Sequence, residues 1–571
     1  MSKFTPAQLI ARYEACRTFR RTIEGVWNDI TRLVFPYKGD MFNDHTDEQS
    51  VDWRENRDVF DSTAVFAAAR LSASIHGLIT NPFLRWFEAS FRESKLNDVA
   101  GAREWLEEVS EVIYQTLQDS NLNTEGGEMY QDLVGYGTSV LVEEDTAVDG
   151  DYDNWDGVKF QCIPIREAFF ESDYEGGVAA FYRRNEWTAV QIMSKFMPED
   201  VPKTIREQAE SAESIDAKHE VILCVYIENL GPGQDGQDAP DVSKVMPADR
   251  RPVQWRYILQ SDKTVLGSGG YYEMPAFAPR WRKMSGSQWG WSPAMIALPD
   301  IKTVNAMAEQ GLAAGEKAID PAIFIPEMDI FSDLDFTAGA VNVVRSTENI
   351  IAAPSGSDFQ QEVARIDRLR ISIMEAFHSN ELELKESPAM TATEAMIRED
   401  KMQRLLGPTA GRINTDVWGP VINRTFMILA RAGKIDQPPA GLENAELDIA
   451  FLGPLSRAQS SDKIAAIDRV VEGALMLAET VPDNLDLIDF DEATRERARL
   501  LAAPATIIND EDKVKQLRDT RAKAQQEAKQ AAQLQQGSEM IKNVGGPEGV
   551  EQLASQVQQG QGQGPGPGPQ Q

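Results

Sequence analysis

Between residues 286 and 381 two long helical stretches bracket a small β-like one, and no other feature limits the fold as strongly. In SGSQWGWSPAMIALPDIKTVNAMAEQGLAAGEKAIDP, Ser292 is placed as N-cap with Pro293 at the first helical position. One apolar stripe follows, Ile296 or Ala297, then Ile301, Val304, Ala308 and Leu312, and Pro321 closes a helix of roughly 39 Å. A second helix is predicted over 359–381, with Phe359, Val363, Ile366, Leu369, Ile373 and Phe377 on one face. The segment between them is too small for a core of its own. Outside each narrow stripe the charges are mixed: Asp300, Lys302, Glu309, Glu316 and Lys317, then Glu362, Arg365, Asp367 and Arg368. Such a hairpin cannot stand alone, because its stripe needs more cover than two helices supply. Packing against copies of itself in a closed ring is the economical solution.

Helices precede this hairpin, and strands follow them. An amphipathic helix is predicted over 4–35, carrying Leu9, Tyr13, Phe19, Ile23, Val26, Ile30 and Leu33, and Pro36 stops it. A small-residue helix over 62–79 ends at Asn81-Pro82. A third covers 102–119, a turn 121–127, and a fourth helix 128–136. Strand texture starts at 138 with SVLVEED and VKFQCIPI, then FFESDYEGGVAAFYRRNEW. After a polar helical stretch near 188–215, EVILCVYIENL and PVQWRYILQS read as a further strand pair, and GSGG at 267–270 as a turn. The order predicts an α+β, mainly helical fold and not a doubly wound sheet. Thr391–Glu394 spells a capping box. It opens one long helix reaching about Ala432 and bent at Gly407-Pro408 and Gly419-Pro420, or two collinear helices. ELDIAFL is read as a strand, 456–478, 491–501 and 509–536 as helices, and 543–571 as a Gly/Gln/Pro tail expected to be flexible.

Charge narrows function. The 571 residues, enough for about three or four structural units, hold 57 Lys plus Arg against 90 Asp plus Glu, a net charge of −33. A chain this acidic does not coat DNA or an anionic membrane, since both need cations that displace counterions. Cys16, Cys162 and Cys224 are scattered and odd in number, which predicts free thiols in a reducing compartment. No apolar run approaches the length of a membrane span, and no secretion signal opens the sequence, so a protein made in a cytoplasm is expected. There is no GxxxxGK[ST] loop, no GxGxxG opening a helix, and His45, His76, His219 and His378 are isolated. No catalytic residue, metal ligand or cofactor is expected.

Two clusters require weighing. Asp149, Asp151, Asp153 and Asp156 begin like a calcium loop, but Asn154 and Phe160 stand where Gly and Glu are required, so a solvated hairpin turn is preferred. Trp281, Trp289 and Trp291 with Arg280, Arg282 and Lys283 could stack on nucleic acid. The preferred reading is that the rings anchor the foot of the long helix.

In order along roughly 5–520, these pieces resemble the head-to-tail connector, or portal, proteins of short-tailed bacteriophages. The resemblance is carried by RYEACRTFR, by DSTAVFAAARLSASIHGLITNPFLRWFEASF and by DLVGYGTSVLVEED. IPIREAFFESDYEGGVAAFYRRNEWTAVQI, SGSQWGWSPAMIALPDIKTVNAM and DPAIFIPE come next, followed by TATEAMIREDKMQRLLGPTAGRI, INRTFMILARAGKI and LGPLSRAQ. What it implies is a homododecameric ring with a wing (1–285 and 393–455), stem helices (286–318 and 358–381) and a clip (319–357). A tunnel loop (382–392), a crown (456–515), a barrel-like helix (516–542) and the tail (543–571) complete the plan.

The resemblance further implies a virion protein at one capsid vertex, assembled in the host cytoplasm, through which double-stranded DNA is packaged, retained and ejected. A large terminase ATPase would dock transiently and tail adaptor or nozzle proteins later, on a clip represented by Phe324, Pro326, Glu327, Asp329 and Phe331. Major capsid and scaffolding proteins are the other implied partners. Glu383, Lys385, Glu386, Ser387 and Pro388 fall in the tunnel loop, and Lys302, Glu309, Lys317, Arg365 and Arg368 on the stem. A tail adaptor or tube ring, or a metal-dependent nucleic-acid enzyme, remains as an alternative.

Overall fold

The structure, a computed structural model, describes residues 4–38, 59–99, 101–147, 155–173, 176–211, 216–228, 246–319, 323–324, 351–352, 359–379, 405–442, 447–452, 454–478, 486–501, 509 and 511–543. It is mixed α and β, as expected, and divides into two compact units, 1–482 and 483–571.

In the first unit, α1 (Pro6–Val34) opens with a capping box that the periodicity did not signal: Thr5 N–H donates to Gln8 Oε1, and Gln8 N–H to Thr5 Oγ1. It ends at Phe35, before Pro36. Helix α2 (Thr63–Ile79) presents Ala64, Ala67, Ala68, Leu71 and Ile75 to the core. Strand β1 (Phe87–Phe91) and α3 (Ala102–Asp119) follow. The expected turn at 121–127 is instead the first half of α4 (Leu122–Tyr136). Asn121 fixes that start, its side chain donating to Phe160 O and accepting from Phe160 N–H, both at 2.8 Å. The glycine pair is helical all the same, and a Cβ on Gly126 or Gly127 would make only ordinary contact, with Trp418 at 3.9 Å and with His76 at 3.8 Å.

Strands β2 (Val140–Asp145) and β3 (Val158–Ile163) pair antiparallel, so the acidic segment is a hairpin connection, of which Asp156 is described. Strands β4 (Ala168–Ser172), β5 (Val178–Thr188), β6 (Lys218–Ile227), β7 (Val253–Leu259) and β8 (Val265–Tyr271) form one antiparallel sheet in that order. The polar stretch between β5 and β6 holds two short helices, α5 (Ala189–Lys195) and α6 (Lys203–Glu210). The sheet buries Phe169, Tyr182, Ile222 and Tyr226 under Leu9, Ile10 and Tyr13 of α1. The GSGG turn reading is corrected, since Gly267, Gly269 and Gly270 lie inside β8. Trp255 of β7 lies across the neighbouring strand, and a Cβ on Gly269 would come within 2.6 Å of its indole. Glycine here makes room for a tryptophan, with no bend required.

Strand β9 (Ala276–Phe277) joins β2, and α7 (Pro293–Ile319) begins where expected. Strands β10 (Ile323–Phe324) and β11 (Ile351–Ala352) pair between α7 and α8 (Phe359–Ala376), the latter shorter than the predicted 359–381. Residues 405–413 are helix α9, followed by a π-helical turn at Asn414–Trp418 and by α10 (Gly419–Arg431). The widened turn sits immediately before Gly419-Pro420, where a proline without N–H breaks the regular ladder. The predicted capping box at 391–394 lies outside the described residues. Strand β12 (Leu447–Phe451) pairs antiparallel with β1, Phe87 opposite Phe451, and α11 (Pro454–Ala478) closes the unit.

In the second unit, α12 (Phe490–Leu500) is followed by α13 (Glu511–Asn543), which runs past the predicted end at 536. Arg518 of α13 forms a bidentate ion pair with Asp491 of α12, both contacts at 2.7 Å.

Candidate functional site

The foot of α7 is built from backbone outward. Ser292 Oγ accepts from Met295 N–H (3.0 Å) and donates to Gly135 O (2.6 Å), so one buried hydroxyl caps α7 and ties it to α4. Gly137 has φ +75°, and a Cβ there would meet Gly290 O at 2.6 Å; two backbone segments cross where no side chain fits. Trp289 wedges beneath, its ring 5.0 Å from Trp27 and 4.9 Å from Phe170, both edge-on. Trp281 is equally buried, whereas Trp291 stays partly exposed. Two of the three rings therefore serve as anchors, in agreement with the preferred reading.

Above the foot, α7 and α8 pack side by side and are held to each other and to the body by polar contacts. Ser372 donates to Asp300 Oδ2 (2.8 Å), and Asn305 Oδ1 accepts from the backbone N–H of Phe60 (2.7 Å). Lys302 pairs with Asp29 of α1 at 2.5 Å. Arg370 pairs with the buried Asp61 at 2.8 Å. Burial pushes the Asp61 carboxyl up, but hydrogen bonds from Thr63 and Arg370 outweigh it and hold it below its ordinary value.

The apolar stripe splits in two. Ala297, Ile301 and Val304 of α7, with Ile373 of α8 and Phe377 just beyond it, are buried. Toward the other end Leu312 is 59 % and Val363 43 % exposed. Nearer the foot, Ile296 and Ile371 lie beside the buried stripe and also face outward. Of the residues assigned to the stem, Lys302 is occupied by Asp29, while Glu309, Arg365 and Arg368 are exposed; for Lys317 the helix alone is described. Phe324 lies in β10, opposite Ile351. Pro326, Glu327, Asp329 and Phe331, and all of Glu383, Lys385, Glu386, Ser387 and Pro388, lie outside the described residues.

A buried charge cluster went unread in the sequence. Arg431 of α10 makes a bidentate pair with Glu273 (2.6 and 3.0 Å), and Arg424 donates to Glu273 O (2.8 Å). Arg424 also stands 3.7 Å from Glu143 of β2, whose Oε1 accepts from Thr425 (2.8 Å). Burial pushes the Glu143 carboxyl up to about 8; Arg424 and Thr425 oppose this only in part. The one signal available was the spacing of Arg424 and Arg431, two helical turns apart on an apolar helix. Glu143, inside SVLVEED, reads as solvated.

Among the described residues no group of three His, Cys, Asp or Glu is arranged to hold a metal ion, and no helix is long and apolar enough to cross a membrane. The site is thus a packed rod pair with one buried and one uncovered end.

The family model for the bacteriophage head to tail connecting protein matches residues 6–508. A probable portal protein of Bordetella phage BPP-1 is 25% identical over 555 residues, covering 94% of this chain and 95% of its own. The portal protein of Salmonella phage epsilon15 is 24% identical over 561 residues, covering 95% and 96%.

Proposed function

Because the chain belongs to the family of bacteriophage head-to-tail connecting proteins, we propose that it is the portal of a phage particle, a ring of twelve copies at one capsid vertex. Double-stranded DNA enters through the ring during packaging, is retained, and leaves through it at ejection. In this reading 1–285 and 393–455 are the wing, 286–318 and 358–381 the stem, 319–357 the clip, and 382–392 the tunnel loop. The clip, with Phe324, Pro326, Glu327, Asp329 and Phe331, receives a terminase ATPase and later tail adaptors. Capsid and scaffolding proteins surround the wing.

The supporting observation is the uncovered end of the rod pair. Leu312 and Val363 continue a stripe whose other half is buried, and an identical neighbour is the simplest cover for them. Charge supports a conduit that does not grip. Twelve copies of a −33 chain carry about −400 before counterions, and cationic walls would trap a moving polyanion at each step. Bond chemistry has no part in this role; Lys385, flanked by Glu383 and Glu386, guides the strand in the tunnel loop, and the exposed Glu309, Arg365 and Arg368 belong to the stem wall.

Negative-stain images of the purified full chain test the proposal directly. Annular particles with a central hole are expected. Single compact particles at every concentration would overturn it. Deleting 384–389 should leave rings intact while impairing DNA retention; unchanged retention would remove the tunnel-loop assignment.

A further inference from the structure

Helix α13 differs from the rest of this acidic chain. From Lys513 to Lys529 it carries Lys513, Lys515, Arg518, Arg521, Lys523 and Lys529 against only Asp519 and Glu527. All eight of these residues are exposed. The family match ends at residue 508, before the helix begins, while the alignments with the two portal relatives, over 94% and 95% of the chain, extend into it.

At about 100° per residue, Lys515, Arg518, Arg521 and Lys529 fall within roughly a third of the circumference. Asp519 and Glu527 fall outside that arc; only Glu511, in the first turn, shares it. The four cations extend along about 21 Å of helix. Gln525 lies on the same arc and adds an amide donor. Arg518 is paired at 2.7 Å with Asp491 of α12, which partly offsets its charge, while Lys515, Arg521 and Lys529 are exposed.

We propose that this face of α13 binds the phosphate backbone of double-stranded DNA. The inference rests on the portal reading for the DNA itself, but the residues are independent of it. A protein partner is the poorer fit, because interfaces between proteins need apolar or aromatic anchors. Between Thr520 and Ala532 the helix offers none larger than alanine. Phosphate contacts need only cations and amide or hydroxyl donors, and carry no sequence preference. The face thus supplies a localised, salt-sensitive contact in a molecule whose remaining charge repels DNA.

The test compares the full chain with the triple variant Lys515→Gln, Arg521→Gln, Lys529→Gln. A control variant, Lys203→Gln, Lys263→Gln, Lys434→Gln, removes the same charge from exposed positions elsewhere. Anisotropy of a labelled 30-base-pair duplex is read at about 50 and 200 mM salt, with ring formation followed by mass photometry in the same samples. The expected result is binding at low salt that the triple variant weakens at least about tenfold, with a shallower salt dependence, while the control stays near wild type. No binding by the wild-type ring, equal binding by the triple variant, or equal weakening in the control would overturn the proposal. Loss of rings in the triple variant would also overturn it, assigning the face to contacts between copies. Absence of rings in the wild type would instead remove the portal reading.

Discussion

The two ends of the α7–α8 pair share one amphipathic pattern and meet opposite fates. At the foot, Ile301, Val304, Ile373 and Phe377 are sealed under the body, and Ser292, Trp289 and Gly137 lock the helix start against α4. Toward the far end, Leu312 and Val363 continue the same stripe into solvent. An apolar stripe states that a face requires cover; it does not state whether the cover is intramolecular. The foot draws its cover from this chain, and in the proposed ring the far end would draw it from a neighbour.

Trp289→Ala should break the contrast most severely. Removing a ring packed between Trp27 and Phe170 is expected to cost about 3–5 kcal/mol, measured as a lowered denaturation midpoint. An unchanged midpoint would mean that the foot is not the anchor.

Glu143→Gln sharpens the contrast through pH. The folded carboxyl, pushed up to about 8, keeps a proton that the unfolded chain has lost above its ordinary value. Wild-type stability therefore falls as pH rises through that interval, and the deficit is complete above about 8. The amide cannot ionise, so its stability advantage should grow by about 2–4 kcal/mol between pH 5 and 9. Parallel pH profiles for the two proteins would contradict the buried, protonated state.

Asp61→Asn should cost about 1–3 kcal/mol at pH 7 by weakening the tie from Arg370 to the body. The effect should fade as acid protonates Asp61 in the wild type through its depressed folded value. The smallest effect on the single chain belongs to Leu312→Ser with Val363→Ser: a shift within about 0.5 kcal/mol, since both sites are exposed. Yet this variant should lose annular particles, as seen by mass photometry. Persistence of rings would move the neighbour contact elsewhere.

Much of the fold was legible where a local signal carries its own physics. Helix α3 and the Ser292-Pro293 start of α7 follow from periodicity and capping. What escaped depends on distant partners. Strand β1 is defined by β12, some 360 residues later, and no local pattern announces that pairing. Gly126-Gly127 looks like a turn until Asn121 is bonded to Phe160 of β3, and GSGG does so until Trp255 lies across it. The candidate surface was legible as a hairpin with mixed charge, but which half of its stripe is covered depends on α1, α2 and Asp61. The Glu143 cluster stayed hidden because a carboxylate in a strand reads as solvated unless the helix carrying Arg424 and Arg431 is known to press on it.

The β1–β12 ladder also has a consequence for synthesis. A ribosome adding about 5–20 residues per second needs roughly 20–70 s after releasing Phe91 before Phe451 emerges. Throughout that delay β1 lacks its partner. Completion of the ladder thus waits until some 450 residues have been joined, and a polypeptide that stops short of β12 keeps the edge of β1 unpaired.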